Sequence, residues 1–297
     1  MTGMEATAER PLVEVRDLCR TFGRTPSKLR SRARQVFALV GVSLEIARGE
    51  RFGVVGESGS GKSTLVRLVA GLDQPTSGAV YFDGQLVSGR KERHLGFLRR
   101  ELQVVFQDPM SSLDPRMKIR QIIAEPLVAT GKADSLNRVY ELLDAVGLSR
   151  AAADRYPHQF SGGERQRISI ARALAPSPSV LIADEAVSAL DVSVRAQILN
   201  LLVDLVHDFS LTMIFVAHDL GVVRRVCDRV AVLHHGNLVE VGTAEQIYSD
   251  AAQPYTRELI AATPVLRYVV GGPADDLRSA KLKPARARFG GSDEWSR

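Results

Sequence analysis

Apolar and polar residues alternate in LVEVRDL (12–18) and ALVGVSLEI (38–46), the period of a half-buried strand. RFGVV (51–55) is a short, nearly continuous apolar run, as a strand buried on both faces shows. The spacing then becomes helical in KSTLVRLVAGL, and that helix is expected to end near Gly71. AVYFDG reads as a further short strand, and LQVVFQD ends a β-rich run at Asp108. From about Arg116 to Ala175 the texture is helical, in IRQIIAEPLV, LNRVYELLDAVGL and ERQRISIARALA. Strand patterns return in SVLIADE, LTMIFVAHD and RVAVLHHG, separated by the helical stretches VRAQILNLLVDLVHDF and LGVVRRVCD. NLVEVG follows, and then two short helical runs, AEQIYSD and PYTRELIAAT. Strands and helices in alternation imply a doubly wound parallel sheet, here with a mostly helical subdomain inserted in its middle. No internal repeat is visible.

Composition narrows the picture modestly. The chain has 297 residues, 45% hydrophobic and 25% charged, enough for a sizeable core and about two domains. Its net charge of +5 is concentrated in two runs, Arg24–Gln35 and Arg278–Arg288. Both read first as a solvated loop and tail, and contact with acidic lipid headgroups is the sharper alternative. Neither run interleaves aromatics, which argues against nucleic acid. Cys19 and Cys227 stand far apart with no CxxC, so neither a disulfide framework nor a zinc site is expected, and a reducing compartment fits. The first residues, MTGMEATAERPL, lack an apolar signal region, and no run is long enough to span a bilayer. The expectation is a cytosolic chain; if it serves a membrane, another subunit does the spanning. The last stretch, rich in Gly, Pro, Ala and charge, is expected to be disordered.

The chemistry centres on GESGSGKST: Gly56, Glu57, Ser58, Gly59, Ser60, Gly61, Lys62, Ser63 and Thr64. Gly56, Gly61, Lys62 and Ser63 fit the phosphate-loop spacing between a strand and a helix. Glycines let successive backbone N–H groups face an anion, and the helix start adds its positive end. Lys62 can reach the β- and γ-phosphates, and Ser63 can ligate Mg²⁺. A turn that only joins a strand to a helix would not need the lysine. In SVLIADE, Asp184 and Glu185 end an apolar strand, where α/β sheets bind ligands. One carboxylate can hold the metal shell while the other orients a water. Beside them stands the plainer reading that acids favour a helix N-terminus.

The run FSGGERQRISIARAL (Phe160–Leu174) resembles the signature of ATP-binding cassette (ABC) proteins. Other marks of that family follow in order: Gln107 in VVFQDP, SALD at Ser188–Asp191 and His218 in FVAHD. Read from the residues alone, Ser161, Gly162 and Gly163 open a second anion-binding helix, or else Ser161 is an ordinary cap with Glu164 completing its box. The resemblance implies an α/β cassette, a RecA-like P-loop core with an antiparallel β subdomain and an inserted helical signature subdomain. Its divisions are expected at 1–110, 111–175, 176–245 and a C-terminal extension at 246–297. It implies ATP and Mg²⁺ as cofactors, and two subunits that sandwich two nucleotides head to tail. By resemblance, Glu185 is the water-orienting carboxylate and His218 contacts the γ-phosphate. Gln107 senses metal and water, Asp184 and Ser63 join it at the metal, and Asp191 crosses the dimer interface. Phe22, with Phe37 as the alternative, would stack on adenine; core packing is the plain alternative for both.

VSALDVSVRAQILNLLVDL, FQDPMSSLDPRM, GNLVEVGTAEQIY and PYTRELIAATP are similar to the ATPases of oligopeptide and dipeptide permeases. That branch implies a homologous second ATPase, two transmembrane permeases, an extracytoplasmic binding protein acting indirectly, and a peripheral position on the cytoplasmic face of the membrane. It implies no nucleic-acid partner. Phe160, Glu164 and Ala186-Val187 depart from the commoner residues, and no hydrolytic residue is missing. No cysteine follows Cys227, so no iron–sulfur cluster is expected. Alternatives are a soluble cassette ATPase of phosphonate-metabolism type, and an importer of nickel, glutathione or another small solute. A repair or translation ATPase would need a coiled-coil insertion or a second cassette.

Overall fold

The computed structural model describes residues 10–23, 35–107, 112–129, 136–188 and 190–262. The basic run 24–34, the tail 278–288 and residues 108–111 lie outside the described residues. In chain order the strands are β1 (Val13–Phe22), β2 (Val36–Ile46), β3 (Arg51–Val55), β4 (Ser77–Phe82), β5 (Gln85–Leu86), β6 (Leu102–Val105), β7 (Val180–Asp184), β8 (Thr212–Ala217), β9 (Arg229–His234) and β10 (Asn237–Thr243). The helices are α1 (Lys62–Val69), α2 (Gly96–Glu101), α3 (Ile119–Ala129), α4 (Leu136–Ala145), α5 (Gly162–Leu174), α6 (Val192–Asp208), α7 (Leu220–Val226), α8 (Ala244–Ser249) and α9 (Pro254–Ala262). All belong to the compact unit Met1–Thr263.

Two sheets form. One is antiparallel, in the order β2-β1-β4-β5. The other has the order β10-β9-β3-β8-β7-β6, parallel from β9 to β6, with β10 added antiparallel at the edge. The α/β cassette architecture expected from the sequence is what the chain adopts. The antiparallel edge follows from chain length: only His235 and Gly236 join β9 to β10, too few for a crossover. Strand β1 runs past Leu18 to Phe22, so Phe22 ends the strand rather than following it. Strand β5 and helix α2 carry no clear periodic signal and are additions to the sequence reading.

The parallel sheet separates two cores by simple alternation. Phe52, Val54, Val180, Ile182, Ile214, Val216, Ala231 and Leu233 face one side, with α1 and the antiparallel sheet. Val55, Leu181, Ala183, Met213, Phe215, Val230 and Val232 face the other, where α3 to α7 supply Ile122, Leu142, Ile170, Ile198 and Val223. Both faces are covered, which is why these strands read as continuous apolar runs. The same register aligns the strand ends. Val54 pairs with Val216, and Val216 with Asp184, so β3, β8 and β7 release their loops at one edge. Val105 pairs with Ala183, so Gln107 emerges beside Glu185.

Phe215 is fully buried in the middle of β8. Phe215→Ala should cost about 3–5 kcal/mol, read as a shift of the urea unfolding midpoint; a change of less than about 1 kcal/mol would contradict the packing described.

Candidate functional site

The loop leaving β3 is shaped by close backbone approach. Gly56 has φ 153°, and a Cβ there would run into the Leu233 carbonyl. Gly61 has φ 106°, and its Cβ would meet the Ala38 carbonyl and, at 2.9 Å, the Leu39 side chain. The Gly236 amide donates to the Ser60 carbonyl at 3.0 Å, so the β9–β10 turn also holds the loop. Gly61 caps α1 with no side chain, leaving the amides of the first turn without a side-chain acceptor. A helix start of this kind is suited to an anion.

Lys62 is 4% exposed, and its ammonium donates to the carbonyls of Gly56 and Glu57, both at 2.8 Å. Burial lowers its pKa, opposed by the charges of Glu185 and Asp184. The phosphate loop and the acids that end β7 are therefore electrostatic neighbours. Ser63 is exposed at the start of α1, and the buried Ser60 hydroxyl finds no partner among the described residues. Glu57, Ser58 and Gly59 are exposed on the loop, and Thr64 is half-buried.

Asp184 is raised above the usual carboxylate range by burial, then by the Glu185 charge, with Lys62 opposing. Its Oδ1 is buried without a hydrogen-bond partner among the described residues. An orphaned buried carboxylate oxygen next to the phosphate loop is what a divalent cation would satisfy. The residues present fit Mg²⁺, with one carboxylate, the Ser63 hydroxyl and the Gln107 amide leaving room for phosphate oxygens and water. No cluster of three or more His, Cys, Asp or Glu side chains that could hold a metal occurs among the described residues.

Glu185 has φ 48°, a left-handed backbone that costs a glutamate roughly 1–3 kcal/mol. Its amide donates to the Val216 carbonyl at 3.0 Å, and its own carbonyl accepts from the Ser188 amide and hydroxyl, each at 3.0 Å. These bonds hold the strained turn. The Gln107 side-chain amide donates to the Ser188 hydroxyl at 3.1 Å, linking the end of β6 to the same turn. Glu185, Ser188, Arg195 and His218 line one small pocket. Arg195 donates to the carbonyls of Ser188 and Leu190 at 3.3 Å each. Neither Ser188 nor Arg195 was singled out for this role from the sequence, because a hydroxyl and an arginine in a helix carry no spacing signal.

Ser161 caps α5. Its hydroxyl accepts from the Glu164 amide at 3.3 Å, and the Glu164 carboxylate accepts from the Ser161 amide and hydroxyl at 2.8 Å each. Those bonds, from the Ser161 backbone first, hold Glu164 below its usual range. The capping box thus exists as the plain reading had it, and Gly162 follows the cap on an exposed turn. Gly163 serves packing: a Cβ there would lie 2.5 Å from Val194 Cγ1. The start of α5 therefore sits against the start of α6, whose cap is Asp191, accepting from Val194 N and Ser193 Oγ at 2.9 Å each. Arg172, lower on α5, reaches the Ser112 carbonyl, tying the segment after Gln107 to the same helix.

The two candidate stacking aromatics are exposed, Phe22 at 41% and Phe37 at 61%, so core packing does not account for either. Phe22 pairs with Val36 and Thr21 with Phe37 at the edge of the antiparallel sheet. The Arg20 guanidinium lies 4.4 Å from the Phe22 ring centre and is fixed by Asp73 at 2.9 and 3.0 Å. The neighbouring Ala38 backs the phosphate loop, which places this aromatic edge beside it.

Comparison with known proteins agrees with this geometry. Residues 39–188 match the ABC transporter family model. The oligopeptide transport ATP-binding protein OppF of Streptococcus mutans is 47% identical over 85% of this chain and 82% of its own length. The dipeptide transport ATP-binding protein DppF of Escherichia coli is 45% identical over 90% of this chain and 80% of its own. The glutathione import ATP-binding protein GsiA of Escherichia coli is 48% identical over 86% of this chain, which spans 41% of that longer relative. Among solved structures, a dimeric post-hydrolysis ATP-binding cassette bound to ADP and Pi superposes with a TM-score of 0.68 at 31% identity, covering 78% of this chain and 98% of that one. With its phosphate loop, paired acids and serine-capped helix all inside or bordering the matched segment, this chain belongs to the ABC transporter family.

Proposed function

We propose that this chain is the ATP-hydrolysing subunit of a membrane importer whose cargo is peptides. The observation that carries the chemistry is the buried Lys62 ammonium in the field of Glu185 and of Asp184, whose Oδ1 has no hydrogen-bond partner among the described residues. The relatives named for oligopeptide and dipeptide transport support the cargo class, and glutathione, named in a third, is itself a tripeptide. No helix among the described residues is long and apolar enough to cross a membrane. In this reading the chain works against two transmembrane partners, from the cytoplasmic face, with a second ATPase subunit of similar sequence, as its likeness to the permease ATPases supports.

In this reading the loop Gly56–Thr64 takes the triphosphate. Lys62 exchanges its carbonyl partners for β- and γ-phosphate oxygens, and the first amides of α1 add their hydrogen bonds. Ser63, Gln107 and Asp184 would hold Mg²⁺, which supplies charge neutralisation on the phosphate oxygens when bound. Glu185 orients the attacking water, and His218 contacts the γ-phosphate from the next loop. Ser161 and Gly162, with Asp191 behind them, meet the nucleotide held by a second subunit. Phe22 stacks on the base. Residues 111–175 move as the helical arm that receives the membrane partner, in a cassette otherwise formed by 1–110 and 176–245, with 246–297 as an extension.

Three substitutions test the assignment. Glu185→Gln should lower ATP turnover about 10²–10⁴-fold while ATP still binds, and cells carrying only that form should not accumulate labelled peptide; near-normal phosphate release would remove Glu185 from the role. Lys62→Ala should weaken ATP binding roughly 10- to 100-fold, the loss of one charge-assisted contact, measured by calorimetric titration. Gly163→Ala should displace the start of α5 from Val194, so that turnover falls while one subunit's own ATP affinity stays within about threefold; turnover equal to wild type would show that this helix start does not meet a nucleotide.

A further inference from the structure

The phosphate loop has a partner from far along the chain. The Glu57 amide donates to the Tyr255 hydroxyl oxygen at 3.4 Å, and Tyr255 lies on α9, beyond the matched segment 39–188. The other end of that same peptide unit is the Gly56 carbonyl, which accepts from Lys62 at 2.8 Å. In a trans peptide the C=O and N–H point in opposite directions. One peptide plane is therefore gripped at both ends, by the ammonium on one side and by the phenol on the other.

This plane needs holding. Gly56, at φ 153°, has no side chain to resist rotation of the peptide that follows it. A flip would turn the Gly56 carbonyl away from Lys62 and swing the Glu57 amide inward. The bond from Glu57 is long, so its strength alone is modest, but Tyr255 is well fixed. Its ring stacks on His234 with centres 3.7 Å apart and planes 12° apart. His234 follows Leu233, whose carbonyl backs Gly56. On the other side, the Glu240 carboxylate accepts from the amides of Ala252 and Gln253 at 2.8 and 3.2 Å, pinning the turn that starts α9. The next residue, Thr256, is fully buried. Burial pushes the Tyr255 phenol up, so it stays a neutral hydroxyl whose oxygen can accept.

We propose that Tyr255 is a positioning residue for nucleotide binding, bracing the Gly56–Glu57 peptide so that Lys62 and the amides after Glu57 are presented to the phosphates. The C-terminal extension thereby becomes part of the nucleotide site without touching the nucleotide. The proposal rests on the phosphate-loop reading above.

The test uses the full chain and MgADP, which binds without turnover. Tyr255→Phe keeps the stack on His234 and removes only the acceptor. MgADP affinity should fall about three- to tenfold, and KM for ATP should rise in parallel with kcat within about twofold. The thermal midpoint without nucleotide should stay within about a degree, because little packing is lost. Tyr255→Leu, which also loses the stack, should weaken affinity further. Wild-type affinity in Tyr255→Phe overturns the brace, and so does a weakening matched by a fall in the nucleotide-free midpoint, which would mean that α9 has undocked. Lys62→Ala measured alongside separates the two ideas. If it binds MgADP like wild type, the phosphate loop is misassigned and the brace falls with it. If it loses affinity while Tyr255→Phe does not, the brace alone fails.

Discussion

A lysine ammonium buried to 4% exposure is the constraint around which this structure is arranged. Burial disfavours its charge, and only nearby acceptors and carboxylates keep it tolerable. The carbonyls of Gly56 and Glu57 serve that purpose within the chain, and Asp184 and Glu185 supply the opposing field. Asp184 retains a buried oxygen without a hydrogen-bond partner among the described residues. Such a site is poised for a ligand that brings negative oxygens to the lysine and a cation to the carboxylate.

The fold exists to deliver these groups to one edge. A parallel sheet with both faces covered is stiff, and its register sets strand ends level with each other. β3 releases the glycine loop, β7 the two acids, β8 His218 and β6 Gln107, so that residues far apart in sequence become neighbours. The turn after β7 is strained and tightly held. Glu185 adopts a left-handed backbone there, held by Val216 and Ser188, with Gln107 bonded to the same serine. Strain fixed by several partners gives this turn one well-defined geometry. Gly163 then packs the start of α5 on the start of α6, the two helices capped by Ser161 and Asp191.

Much of this was legible beforehand, for local reasons. The loop needs glycine at φ values that other residues resist, so Gly56 and Gly61 announce it. The buried strands need apolar residues on both faces, so RFGVV, SVLIADE and LTMIFVAHD are plain as runs. The signature helix carries its own cap and box in Ser161 and Glu164. What was not legible depends on distant partners. Arg195 looks like any helix arginine, and Ser188, though it opens SALD, shows nothing of its bonds to Glu185 and Gln107 until the fold places them together. Phe22 was expected beyond its strand, but pairing with Val36 extends β1 through it.

The sequence by itself therefore determined the cassette class, the phosphate loop, the acidic strand end and the serine-capped helix, because each depends on residue types within a few positions of one another. Tertiary structure decided which backbone groups close on the loop. The Leu233 carbonyl behind Gly56, the Ala38 carbonyl behind Gly61 and the Tyr255 hydroxyl on the Glu57 amide come from residues up to 198 positions away. Main-chain carbonyls are the same at every residue, and a tyrosine on a short helix looks like ordinary packing. Only their meeting in space, set by strand order and register, makes them part of the site.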